Sequence, residues 1–448
     1  MRESKASEEL LGDVLDATEN ASPLQAVEAV TATLARSLEA SASFFLIADL
    51  AGGALVRMSH GSSDGELARQ GLGGVEGATR TQDGEQTVSV PITGPVETAM
   101  RTQTVQVLPA ATVDGVDESH DGSSGWVVLA PVTERGEALG LLQVAVPEAP
   151  DAKAVAEIAR VAHLLAFVVI ANRRHTDLFE RAERSTLFSL PAEIQRRLLP
   201  AAYTCEAAAF TLAAWLEPAA SVGGDTFDYS LARDTLHLSL TDAIGHGVGS
   251  ALTATLCVGS LRNTRRMGGS LEDQASDANS ILFQQTAGSG AEHYATGLVG
   301  RVDLATGTLA LVNAGHVAPY LFRDGSASAV ELKPDLPFGM FLETRYSRTD
   351  VSLRPGDRLV LVTDGMLERN AASLDLCEEI TRTRSLHPRE ASRRLTAMVL
   401  ERCNQVLADD ATVMVLDWHG EHGQPRRTSA GAEQWRASAD RDRTGTQG

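Results

Sequence analysis

Apolar residues step through the chain with two periods, three-to-four and two, and each change of period marks an element boundary. Leu24, Val27, Val30, Leu34 and Leu38 recur at helical spacing behind Ser22-Pro23, which predicts a helix over Pro23 to Glu39. Short apolar pieces follow at Phe44 to Ile47, Ala54 to Met58, Gln106 to Leu108, Trp126 to Pro131 and Leu141 to Val146, broken by Gly- and Asp-rich stretches. They predict an antiparallel sheet flanked by a helix, with the last two strands joined by a Glu134-Arg135-Gly136 turn. From Asp151 to Leu190 the pattern is helical, with no Pro or Gly inside it. Ile158, Val161, Leu165, Val168, Asn172, His175, Phe179 and Ala182 step by three and four. That is the seam of a coiled coil, pairing two chains into a homodimer through residues 158–182, or the buried stripe of one helix packed on its own domain.

Ser189 and Pro191 restart the chain into a short helix through Ile194 and Leu198 that ends at Pro200. Beyond about Ala207, strands alternate with turns at Ala232 to Asp234, Ala305 to Gly307 and Asp324 to Gly325, and helices are expected after Gly249, Ser270 and Pro388. This half is β-rich and mixed rather than a repeating parallel unit, so the fold class is α+β. The expected organisation is a flexible segment over 1–19, a first domain over 20–150, a helical linker over 151–190 and a second domain over 191–418. A disordered tail is expected over 419–448, where almost nothing can be buried.

Composition narrows the class. A chain of 448 residues can bury two or three cores, and its net charge of -20 repels nucleic acid and anionic membrane surfaces. Cys205, Cys257, Cys377 and Cys403 are scattered without a C-x-x-C, which suggests neither a disulfide framework nor a thiolate zinc site. The longest apolar run, Leu164 to Ala171, is short for a bilayer span, and Met1 to Leu11 lacks a signal-peptide core. A soluble cytoplasmic protein is expected.

The chemistry-bearing residues are aspartates at strand ends. In "LSLTDAIGHGVGSA", Leu238 and Leu240 alternate with Ser239 and Thr241, and the strand stops at Asp242. Gly245 and Gly247 then let the backbone turn, so that a carbonyl beside Asp242 can face the same point as its side chain. Asp225 in "VGGDTFDY", Asp364 in "LVLVTDG", and Asp409 and Asp410 in "LADDATVMVL" are placed alike. Singly, each has an ordinary reading as a turn or cap, and His316 in "NAGHVAPY" reads as a structural histidine. If the four ends converge, unit charges 4 Å apart repel by about 4 kcal/mol per pair at an effective dielectric near 20, and a divalent cation removes the conflict. All-oxygen ligands favour magnesium or manganese over zinc.

Together and in this order, these motifs resemble the metal-dependent PPM-type serine/threonine phosphatases, in their SpoIIE/RsbU-like branch. "PAEIQRRLLP", "TGTLALVNAGHVAPYL" and "LRPGDRLVLVTDGMLE" extend the resemblance over about Pro191 to Trp418. It implies a β-sandwich flanked by helices and a water activated between two divalent ions, Mn2+ or Mg2+. Asp242 would bridge both ions, with Asp225 and the Ala243 carbonyl serving one and Asp364 and Asp409 the other. Asp410 would sit behind the ligands or bind no metal, and Asp228 would be structural. Ile244 stands where eukaryotic members often carry a histidine, and His246 is displaced from that place, so no general acid is assigned. The implied substrate is a phosphorylated STAS-type anti-sigma-factor antagonist. The hairpin "WVVLAPVTERGEALGLLQVAVP" resembles the closing hairpin of GAF sensor domains, which implies a small-molecule ligand without naming it. His60 and His120 lie in loop-like surroundings that suit solvated side chains rather than haem ligands. Two other readings stand beside this one. "GGDTF" is similar to the signature loop of diguanylate cyclases, but Thr226 replaces the acidic residue and Asp242, Asp364 and Asp409 go unexplained. A non-enzymatic sensor scaffold would have lost a metal ligand, and all the matching aspartates are present.

Overall fold

The computed structural model describes residues 2–49, 54–59, 79–80, 86–112, 125–183, 189–219, 223–289, 293–367, 375–404 and 407–420. His60, His120 and residues 421–448 of the expected tail lie outside them. The chain divides into two compact units, one built mainly from Met1–Leu187 and the other mainly from Phe188–Arg426.

The first unit opens with α1 (Arg2–Asn20) and α2 (Ala26–Ser37). The flexible segment expected over 1–19 is therefore a helix: Leu10 and Val14, one turn apart, are buried in the same cluster as Val30 and Leu34 of α2. The strands β1 (Ala42–Ala48), β2 (Ala54–Ser59), β3 (Thr79–Arg80) and β4 (Gln86–Pro91) precede α3 (Gly94–Thr102). β5 (Gln106–Pro109), β6 (Trp126–Glu134) and β7 (Glu137–Val146) follow. All seven join one antiparallel sheet in the order β3-β4-β2-β1-β7-β6-β5. The β6–β7 turn has Arg135 at φ +42° and Gly136 at φ +82°, two left-handed residues whose twist suits a two-residue hairpin.

α4 (Ala152–Asn172) and the short α5 (Leu178–Ala182) complete this unit. Ile158, Val161, Leu165, Val168, Phe179 and Ala182 are all buried in the unit's own core with Val128, Val132 and Val144 of the sheet. The heptad stripe is thus one helix face packed on its own domain. The paired seam does not form from these residues, because their apolar surface is already covered. The helical run is also interrupted at Thr176, and Asn172 Nδ2 donates to the Val168 carbonyl within its own helix. Ala152–His175 is the one helix among the described residues long and apolar enough to cross a membrane, although its stripe is buried in protein.

The second unit begins with α6 (Leu190–Leu198), capped by Ser189, whose Oγ accepts from the Ala192 N–H, and with Pro191 in the first turn. Its strands are β8 (Thr204–Glu206), β9 (Phe210–Glu217), β10 (Asp225–Leu231) and β11 (Thr235–Ala243). After α7 (Val248–Arg266) and α8 (Leu271–Ser289) come β12 (Ala295–Asp303), β13 (Thr308–Ala314), β14 (Tyr320–Arg323), β15 (Ser326–Ala329), β16 (Arg348–Ser352) and β17 (Arg358–Val362). α9 (Leu376–Arg382), α10 (Pro388–Arg402) and β18 (Ala411–Trp418) close it. One sheet runs β10-β11-β12-β13-β16 and the other β15-β14-β17-β18-β9-β8, with all neighbours antiparallel. Phe227, Leu238, Leu240, Leu298 and Leu311 of the first meet Phe210, Leu212, Leu359, Leu361 and Met414 of the second in a shared core. Their outer faces are covered by α7 with α8 and by α9 with α10. This is a sandwich of two sheets between two helical layers.

Candidate metal centre

Strand alternation decides which polar side chains meet. Leu236, Leu238 and Leu240 point between the sheets, and the same parity carries Asp242 to the inner face at the end of β11. Directly opposite it stand Asp225 on β10 and Thr296 on β12, each two residues before a core residue, Phe227 and Leu298. From the facing sheet, Thr363 continues the parity of Leu359 and Leu361, while Asp410 and Thr412 precede Met414 and Leu416. One end of the apolar core is thereby closed by a layer of carboxylates and hydroxyls.

The layer is tied across the sandwich. Asp225 is 2% exposed, and its Oδ2 accepts from Thr363 Oγ1 at 2.7 Å and Thr412 Oγ1 at 2.6 Å. Asp410, 1% exposed, accepts at Oδ1 from the Ala219 and Gly223 N–H groups, at 2.8 and 3.2 Å. Its Oδ2 accepts from Gln195 Nε2 of α6 at 2.5 Å, and the same amide donates to the Asp225 carbonyl at 2.8 Å. Asp364 opens a 3-10 turn, Asp364–Leu367, and Asp409 lies in the loop before β18; both are exposed at the rim. Asp242 lies between the buried floor and that rim.

Glycines let the loops close. A Cβ on Gly224 would lie 2.3 Å from the Ala243 carbonyl oxygen, one on Gly365 2.0 Å from the Asp410 carbonyl, and one on Gly223 2.8 Å from Asp409 Oδ1. The Gly-Gly-Asp and Asp-Gly pairs are therefore required by close approach. Gly245 and Gly247, at φ +87° and +78°, turn the chain sharply after Asp242, as their spacing predicts.

Burial and mutual repulsion raise the acid pKa values. Asp225 is pushed well above the ordinary carboxylate range by burial first and then by Asp242. Asp242 rises to about 7, through burial and then the charges of Asp364, Asp409 and Asp410. Burial also raises Asp410. Four carboxylates thus sense Asp242 or Asp225 at once, a conflict that a cation resolves. Among the described residues, no three such side chains converge closely enough to enclose an ion as they stand. The donor set nonetheless fits a hard cation: all the groups are oxygens, and two members, Asp364 and Asp409, stand exposed at the rim, Asp409 Oδ1 accepting from the Asp410 N–H at 2.8 Å.

Other expected residues fall elsewhere. Asp228 is paired with Arg262 at 2.8 Å and Arg265 at 3.0 Å, and Arg262 Nη2 also donates to the Leu198 carbonyl, a structural clamp. Ile244 and His246 are exposed beyond the turn. His316 is buried beside the polar layer, with Nδ1 2.6 Å from Thr296 Oγ1. Gln195 was not singled out by sequence reasoning, although it lies inside "PAEIQRRLLP": nothing in the spacing of a polar helix marks which of its side chains is buried.

Residues 232–419 match the family model SpoIIE, Stage II sporulation protein E. The phosphoserine phosphatase RsbP of Bacillus subtilis (strain 168) is 28% identical over 156 residues, 34% of this chain and 38% of RsbP. The chain thus spans well under half the length of that relative. Among solved structures, the RsbU and RsbW domains of a Mycobacterium tuberculosis protein share 26% identity at a TM-score of 0.42, covering 48% of this chain and 63% of that one. The PP2C phosphatase domain of Bacillus subtilis SpoIIE, solved with a fragment of its regulatory domain, shares 20% identity at a TM-score of 0.42, covering 49% and 66%.

Proposed function

We propose that the second unit hydrolyses phosphoserine or phosphothreonine in a protein substrate, with two divalent cations, Mn2+ or Mg2+, held at the carboxylate end of the sandwich. The observation that carries this reading is the juxtaposition of Asp225 and Asp242 on paired strands with Asp364 and Asp409 at the rim, in a unit of which residues 232–419 match the SpoIIE family model. Asp242 would serve both ions, Asp225 and the Ala243 carbonyl one, and Asp364 and Asp409 the other. Cations held by these residues would supply an activated water and charge neutralisation at the phosphoryl oxygens. The protein's part is to hold these acids in place: Thr363 and Thr412 hold Asp225, and Gln195 with two backbone N–H groups holds Asp410 behind Asp409.

A protein substrate suits the surroundings. Leu336, Met340, Phe341 and Leu342 are exposed in one loop, Phe341 at 55%, and such a run is ordinarily covered by a partner. Asn279 Nδ2 moors the loop by donating to the Phe341 and Leu342 carbonyls, and Phe338 pairs with Ala295, next to Thr296. The motif resemblance extends the proposal to a phosphorylated STAS-type anti-sigma-factor antagonist as substrate, with the first unit as a GAF-like sensor of a small molecule, and the phosphoserine phosphatase RsbP is a relative in keeping with the reaction. Four cysteines outside any disulfide suit the reducing, cytoplasmic setting proposed here.

The test is phosphate release from phosphorylated antagonist proteins by the full chain with manganese. Release should occur and should vanish with Asp364→Asn. Cyclisation of GTP in place of phosphate release would favour the cyclase reading instead.

A further inference from the structure

His316 follows β13 in Asn313-Ala314-Gly315-His316, and every residue but Ala314 in that run has a visible task. Asn313 Oδ1 accepts from the His316 N–H at 2.7 Å, and Asn313 Nδ2 donates to the His316 carbonyl at 3.1 Å. Gly315 turns the chain at φ +68° against Pro337, where a Cβ would lie 2.8 Å from the proline ring. The imidazole is thereby driven inward, 7% exposed, and burial lowers its pKa to about 4, so the ring is neutral. Its Nδ1 meets Thr296 Oγ1 on one sheet. Its Nε2 is buried without a well-aligned hydrogen bond, on a ring that also feels the Val362 carbonyl at the end of β17 on the other sheet. Thr296 is the direct cross-strand neighbour of Asp242, and Val362 is two residues before Asp364.

We infer that His316 is a positioning residue of the metal centre, a spacer between the two sheets that fixes how far the Asp225–Asp242 pair stands from Asp364. The inference rests on the metal reading of the site. A side chain there solely to fill the core would be apolar, because burying an imidazole whose Nε2 has no well-aligned hydrogen bond costs stability that burying Leu or Phe would not. The ring is not itself a proposed ligand. It acts through Thr296, whose side chain stands on the same face as Asp242 about 5 Å away, and through the backbone leading into Asp364. Shells of this kind set the aim of the ligands they back.

The test measures manganese-induced stabilisation of the full chain, as the concentration giving half the maximal rise in melting temperature, alongside the melting temperature without metal. His316→Ala should raise that concentration about 10- to 100-fold, the usual effect of removing a group behind a metal ligand. His316→Gln, which spans the same gap with a polar end, should recover most of the loss. Thr296→Val should weaken the response, and adding it to His316→Ala should make matters no worse, since both act through one contact. If His316→Ala lowers the metal-free melting temperature while the manganese midpoint stays put, the residue is merely structural and the inference is overturned. A wild-type protein indifferent to manganese would instead remove the reading on which it rests.

Discussion

Asp242 and Asp410 separate two roles that sequence reasoning could only rank. Asp242→Asn removes a charge that its surroundings already oppose, so the metal-free protein should be at least as stable as wild type. The proposed phosphatase activity should fall by more than the ~10- to 100-fold typical of losing an outer partner. Asp410→Asn should do the reverse. It points an NH2 group at one of the donors Gln195, Ala219 and Gly223, which costs about 1–3 kcal/mol for a buried mismatch, and leaves more activity. Denaturant melts and initial rates on the two variants check this, and equal effects in both assays would contradict the assignment. The strand-end aspartates were legible because apolar alternation ends at each of them. The ties behind them were not: that Thr363 and Thr412 both serve Asp225 depends on two strands from distant parts of the chain facing a third.

Among the elements, α6 is tied directly to the buried acids. Its Gln195, 4% exposed, is bonded both to Asp410 and to the Asp225 carbonyl, while its last turn is held by Arg262 through the Leu198 carbonyl. Gln195→Ala should destabilise the protein by about 1–3 kcal/mol, because it leaves a buried carboxylate oxygen without its donor, and should raise the manganese requirement. A metal titration of the rate reads the second effect, and an unchanged requirement would make α6 only a packing element. The position of α6 was readable from Ser189, Pro191 and Pro200, and its contact was not. α4 teaches the converse. Its three-four stripe is the same whether a helix pairs with a copy of itself or with its own sheet, and only the burial of Ile158 and Leu165 against Val128 and Val144 decides. The helix over Arg2–Asn20 was missed because Leu10 and Val14 make a single turn of apolar spacing among charged neighbours, a signal that gains meaning only once α2 is there to receive it.

At the scale of the whole molecule, the carboxylate end links folding to pH. Asp242 titrates near 7 in the folded protein against 3.8 for a free aspartate, so between these values the folded state keeps a proton that the unfolded chain has released. Stability without metal is therefore fully present below about pH 4, falls as pH rises through this window and levels off beyond about 7. Melting temperatures of the metal-free protein should drop between pH 5 and 8, by about 2–4 °C for each kcal/mol lost, and manganese should reverse the trend by binding the ionised acids. A rise over the same window would contradict the shift. The sandwich itself was foreshadowed by strands of period two and by turns at Ala232, Ala305 and Asp324, whereas the pairing order β10-β11-β12-β13-β16 is a non-local property that no single window of sequence contains. The most direct measurement is the calorimetric stoichiometry of manganese on the full chain at neutral pH. Two ions per chain in the wild type, with the pair lost in Asp242→Asn, is the result this account predicts; no binding, or the same binding in the variant, would contradict it.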